Sequence, residues 1–266
     1  MNKMAINKIN CMKSKRLIKY YPITEYSIRA FRNQELFFAK PYLFNDCFDT
    51  SDLLYSSFPF FCNRVDWAFQ GMIPTIDQHG ICCFTRSSNA DSLRMWNLYG
   101  GAMNGFALEF NQEVMSGGFW GNVHLIPVKY RKHPLNLNNG SARFRIEGET
   151  FRVSDCWEKR DPKILDRLFE FLHVCKDLKQ WASENESRMI IGEVKSIKGL
   201  QDTVNGYIVP LPSNPYCRIV IGNRVKEDDV SSLVEIARYL RIPVQRAKPS
   251  IIGRRWGVQI YYTKSL

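Results

Sequence analysis

Two glutamates and an arginine alternate in the stretch Trp181-Ala-Ser-Glu184-Asn-Glu186-Ser-Arg188-Met-Ile-Ile-Gly. In an extended chain Glu184, Glu186 and Arg188 point to one face, and Met189 and Ile191 to the other. An arginine beside two acids can hold one carboxylate while the other does acid-base or charge-stabilising work. The same alternation also describes a solvated strand face with a salt bridge, which is worth little. A second group lies at Phe44-Asn45-Asp46-Cys47-Phe48-Asp49. There Asn45, Asp46 and Asp49 project between aromatic anchors, either to line a site or to build a turn through their own backbone. Lys19-Tyr20-Tyr21 offers a cation for phosphate and a ring for stacking, or a packed tyrosine pair. Thr85 offers a hydroxyl at a strand end. Trp96 and Tyr99 are three apart on a helix and share a face, as a ligand box or as core.

Other chemistries find no local support. P-loop, GxGxxG, GxSxG and HExxH motifs are absent. The eight cysteines include no CxxC pair and the four histidines are scattered. No zinc site is therefore expected, no other metal ligand set stands out, and the cysteines are read as reduced and mostly buried.

The elements that must position these residues follow from periodicity and turn chemistry. Residues 16–23 read as a strand, Thr24 caps a short helix carrying Ile28 and Phe31 inward, and residues 35–39 form a second strand closed by Pro41. Residues 51–70 read as helix with irregular connections, and 80–85 as a central strand. Asp91 is placed as the cap of a helix over 92–99 that ends at Gly100-Gly101. Strands are expected at 105–110, 123–130, 183–194, 216–222, 242–247 and 256–262. A helix opened by Asp161-Pro162 carries an apolar stripe from Ile164 through Cys175 and Leu178, and another starts at Asp228 or Asp229 and runs to Leu240. Helices and strands mix without strict alternation. The expected fold is α+β, a single domain with a mixed, mainly antiparallel sheet flanked by helices, over residues 16–266. Residues 1–15 read as a basic N-terminal segment and 131–160 as a loop-rich insertion.

A 266-residue chain with 45% hydrophobic residues can bury a full core. No apolar run is long enough to span a bilayer, and the N-terminus lacks the apolar stretch of a signal peptide, so no membrane partner and a cytoplasmic location are expected. A net charge of +11 favours an anionic partner, whether nucleic acid, nucleotide or phosphate, although the charge is spread out. Its densest patches are the first nineteen residues, Lys129 to Lys132, and Arg254-Arg255.

Taken in order, the motifs resemble a bacterial family of uncharacterised proteins, domain-of-unknown-function family number 2971. The matching residues are Ile18-Lys19-Tyr20, Glu35-Leu36-Phe37-Phe38, Phe44-Asn45-Asp46-Cys47-Phe48-Asp49, Cys83-Phe84-Thr85, Met95-Trp96 with Tyr99, Gly105-Phe106 with Glu109-Phe110, and Trp181 with Glu184, Glu186 and Arg188. Cys47 stands where the family has proline, Thr85 where it has serine, and Tyr21 where many members carry arginine. A more distant likeness is to ADP-ribosyltransferases. These carry a basic or polar residue on the first strand, a Ser/Thr on a middle strand and Glu-x-Glu late in the chain.

That likeness implies an enzyme of bacterial phage-defence or toxin type, with NAD as substrate and nucleic acid or protein as acceptor. Glu186 would be the catalytic carboxylate that stabilises a ribosyl oxocarbenium ion, with Glu184 activating the acceptor and Thr85 beside them. Lys19, Tyr20, Asn45, Asp46, Asp49, Trp96, Tyr99 and Arg188 would bind the cofactor. Two alternatives stay open. One is a Mg²⁺-dependent nuclease or phosphoesterase using Asp46, Asp49, Glu184 and Glu186. The other is a non-catalytic binding module of a defence or toxin operon.

Overall fold

The computed structural model describes residues 16–44, 79–87, 90–116, 123–133, 135, 139–158, 162–191, 197–211 and 215–262. Residues 51–70, 1–15 and the predicted site residues Asn45, Asp46 and Asp49 lie outside them. The architecture is α+β. Among the described residues eleven strands form one mainly antiparallel sheet, ordered β11 (Gln201–Thr203), β12 (Gly206–Pro210), β2 (Glu35–Ala39), β3 (Gly80–Arg86), β1 (Arg16–Pro22), β4 (Gly105–Asn111), β13 (Tyr216–Gly222), β14 (Val244–Ile252) and β15 (Arg255–Tyr261), with β10 (Glu186–Ile191) pairing β3 and β5 (His124–Pro127). Within this architecture the chain divides into two compact units, 1–36 with 84–119 and 210–266, and 37–83 with 120–209.

In the first unit, β1 (Arg16–Pro22) runs antiparallel to β4 (Gly105–Asn111) over its whole length, from Arg16 opposite Asn111 to Pro22 opposite Gly105. β4 continues antiparallel to β13 (Tyr216–Gly222). β13 and β14 (Val244–Ile252) are parallel, which demands a crossover, and the helix Glu227–Tyr239 supplies it. β15 (Arg255–Tyr261) returns antiparallel to β14. Ile18, Tyr20, Trp96, Met103, Val220 and Ala247 form one apolar cluster of this unit. Each large buried apolar side chain contributes about 1.5–3 kcal/mol. The helix Glu25–Asn33 starts at a capping box, in which Thr24 Oγ1 accepts from the Ser27 amide and Ser27 Oγ accepts from the Thr24 amide, both at 3.0 Å.

The second unit holds β2 from Phe37 on, the first part of β3 (Gly80–Arg86), and β5 (His124–Pro127) through β12 (Gly206–Pro210). β10 (Glu186–Ile191) pairs antiparallel with β5. β6 (Lys129–Arg131) pairs parallel with β9 (Cys175–Asp177), and β7 (Arg143–Ile146) makes a hairpin with β8 (Glu149–Arg152). β11 (Gln201–Thr203) turns into β12 at Gly206, whose φ of +153° and whose approach to the Phe38 carbonyl leave no room for a Cβ. The helix Pro162–His173 buries Leu168, Phe169, Phe171 and Leu172 against Phe144, Ile146 and Ile190.

Several expectations are corrected. Ser92, not Asp91, caps the helix Leu93–Leu98, its hydroxyl accepting from the Met95 amide. Residues 123–130 are two strands with different partners. The stretch 131–160 contains the β7–β8 hairpin and a short helix, Asp155–Glu158, because Phe144 and Ile146 alternate with Arg143 and Arg145 ahead of the turn Glu147-Gly148. The long helix ends at His173, so Cys175 and Leu178 belong to β9 and to the helix Leu178–Trp181. Cys82, Cys83, Cys156 and Cys175 are thiols outside any disulfide, whereas Cys217 is disulfide-bonded. The expectation of reduced cysteines does not hold for Cys217, because which thiols meet is set by the fold and not by their spacing along the chain.

Candidate functional site

The chain approaches β10 through a tight series of turns. Asp177 caps the helix Leu178–Trp181, accepting from the Gln180 amide at 2.9 Å. A 3₁₀ turn, Ala182–Glu184, follows, and Asn185 adopts the left-handed conformation at φ 45° before the strand begins at Glu186. Glu184 is therefore not on the strand face that alternation assigned to it. The face is not solvated either, since every residue of β10 is buried.

Lys176 reunites the two acids. Its Nζ donates to Glu184 Oε2 at 3.3 Å and to Glu186 Oε2 at 3.1 Å, and sits 4.4 Å from the centre of the Trp181 ring. Arg188 grips Glu186 from two nitrogens, Nε to Oε1 at 2.8 Å and Nη2 to Oε2 at 3.3 Å. Its third contact, Nη1 to the His173 carbonyl at 2.6 Å, satisfies the last residue of the helix Pro162–His173. The Phe44 ring lies 5.3 Å from the Arg188 guanidinium. The Glu186 amide donates to Tyr130 Oη at 2.7 Å. Two carboxylates and two cations thus balance in a space where Arg188 is fully buried and the other three nearly so.

Burial pushes the Glu186 carboxyl up, but Arg188 and Lys176, with hydrogen bonds from Arg188 and Cys83, outweigh it and bring its pKa down to about 2. Burial raises Tyr130, and the nearby carboxylates add to that. Behind the arginine, His79 Nδ1 and His173 Nε2 lie 3.2 Å apart. Burial lowers His79 to about 4. Burial, then the charges of His79 and Arg188, holds His173 well below the usual histidine value. A hydrogen bond at this distance needs a bare nitrogen on one ring, so the two rings are not both protonated while it holds.

The remaining predicted residues sit in the first unit. Lys19 Nζ lies 5.7 Å from the ring centres of both Tyr21 and Phe84. Tyr20 packs edge-on against Trp96 at 5.3 Å. Thr85 is buried, paired in register with Ile18. Tyr99 is half-buried against the same cluster as Trp96. Trp96 is fully buried, and its Nε1 donates to the Ala90 carbonyl at 2.7 Å. Glu109 carries a structural role that its motif did not disclose. It is fully buried, with Arg16 and Arg218 each 2.7 Å from one of its oxygens and the Ala90 amide donating at 3.2 Å. An acid at an otherwise apolar position of β4 was the available signal.

Among the described residues, no group of three or more His, Cys, Asp or Glu is placed to hold a metal, and no helix is long and apolar enough to cross a membrane. No protein-family model and no solved structure matches the chain. Over 160 residues it is 30% identical to Pepsin-2B of Gadus morhua, covering 56% of this chain and 44% of that protein. The chain thus spans less than half the length of the curated relative it matches.

Proposed function

We propose that the protein is an ADP-ribosyltransferase-like enzyme of bacterial defence or toxin type, cleaving NAD at its nicotinamide bond. The observation that supports this reading is a buried Glu186 held ionised, with Glu184 tied to it through one ammonium. In the reaction the C–N bond breaks and its electrons return to nicotinamide, leaving a ribosyl oxocarbenium ion. A fixed carboxylate stabilises that cation without reorganising. Both Glu186 oxygens are engaged in the resting network, and Glu184, which shares the Lys176 ammonium, is assigned in this reading as the acceptor-activating base.

The test is nicotinamide release from NAD by purified protein in EDTA. The wild type releases it, and Glu186→Gln loses about a hundredfold or more. Absence of release by the wild type, with nucleic acid or protein acceptors supplied, overturns the reading.

Charge balance favours a second reading, the non-catalytic binding module, in which the network only fixes β10. Glu186→Gln would then leave ligand binding intact. The Mg²⁺-dependent alternative gains less, because the Lys176 ammonium occupies the place between Glu184 and Glu186 where that reading puts a cation.

A further inference from the structure

The hairpin of β14 and β15 carries a combination that the charged site does not use. From Ile236 onward the sequence has no Asp or Glu and seven Lys and Arg. Four of these, Arg246, Lys248, Arg254 and Arg255, belong to the hairpin or its turn. At its root the hairpin packs into the core through Ala247, Val258 and Ile260. That same face continues beyond the core to the cross-strand pair Ile251 and Trp256, which are 67% and 83% exposed. The other face carries Arg246, Lys248 and Arg255, with the Lys248 ammonium 5.3 Å from the Tyr261 ring centre.

The turn is two residues, Gly253 and Arg254, both at positive φ, 53° and 67°. Such a tight hairpin turn favours Asn-Gly or Gly-Gly. An arginine in the left-handed region is disfavoured there, yet it places a guanidinium at the leading end of the ribbon.

We propose that this tip binds single-stranded nucleic acid, with Trp256 stacking on an unpaired base on one face, and Arg254 in the turn and Arg255 on the reverse face meeting the phosphates as the strand passes over the end of the ribbon. An exposed indole next to a turn that carries a cation is a pairing that single strands use, since every base has a stacking face and every linkage a charge. A membrane surface fits less well. Insertion would send the Arg254 and Arg255 guanidiniums ahead of the apolar pair into hydrocarbon, at high cost. The proposal stands apart from the NAD reading and needs no catalysis.

Fluorescence anisotropy on the full chain tests it, with labelled single-stranded DNA and RNA of about twelve nucleotides, the corresponding duplex, and anionic phosphatidylserine vesicles. Salt-dependent binding of a single strand, tighter than of the duplex, is expected. DNA against RNA then reports which sugar the tip accepts. Trp256→Ala weakens binding about tenfold or more. Arg254→Gly lowers the salt slope by about 0.7. Because glycine suits the left-handed turn, Arg254→Gly keeps or raises the thermal midpoint, which separates lost contact from lost fold. Binding unchanged in both variants overturns the proposal. So does binding to vesicles alone, or to nothing.

Discussion

Lys176 Nζ lies 3.1 Å from Glu186 and 3.3 Å from Glu184, so one buried ammonium joins two carboxylates that come from different elements. Its removal leaves Arg188 alone against two negative charges in a space closed to water. Lys176→Met is expected to cost about 3–5 kcal/mol, the penalty of an uncompensated buried charge. Urea unfolding would read it as a lower midpoint. A second substitution, Glu184→Gln, should restore part of that loss, and a double-mutant cycle on the two sites measures the coupling.

Acid should weaken the fold in two stages. His79, and His173 with it, titrates lower in the folded chain than its ordinary 6.5, so the unfolded chain binds more protons as pH falls from 6.5 towards about 4. Stability present above pH 6.5 is lost through that window, at up to about 1.4 kcal/mol per pH unit for each histidine. Glu186 acts later. Its folded value of about 2 lies below the ordinary 4.5, so its contribution is present above 4.5 and is lost between 4.5 and 2. Thermal midpoints from pH 8 to 3 should fall in both windows, and His79→Leu should reduce the loss in the first, where His173 still contributes, while leaving the second.

Tyr130 carries the acceptor for the Glu186 amide. Tyr130→Phe keeps the ring and removes the oxygen, which leaves a buried N–H without its partner at a cost of about 1–3 kcal/mol. Hydrogen exchange at the Glu186 amide should speed up accordingly. An unchanged exchange rate would mean that the tyrosine hydroxyl does not hold the start of β10.

Glu109 anchors the first unit as Glu186 does the second. Glu109→Gln leaves Arg16 and Arg218 facing a neutral amide, with an expected loss of about 3 kcal/mol or more. The variant also tests whether the two units unfold separately. Two unfolding transitions in which only one moves would show independent stability, and a single shifted transition would show one cooperative fold.

Sequence by itself determined the local elements whose signals lie within a few residues. The capping box at Thr24, the strand over Gly80–Arg86, and the apolar face of the helix Pro162–His173 are set by capping chemistry and periodicity, which act within one or two turns. It also marked Glu184, Glu186 and Arg188 as residues that act together. What only the tertiary structure decided is how they do so. Lys176 lies on β9 and Tyr130 on its parallel neighbour β6, and nothing in their own neighbourhoods points to Glu186. Of the two readings that alternation left open for β10, the solvated face is excluded because other segments bury it, and Trp96 is buried for the same reason. A buried charge selects partners by distance in space, through a Coulomb interaction that takes no account of separation along the chain.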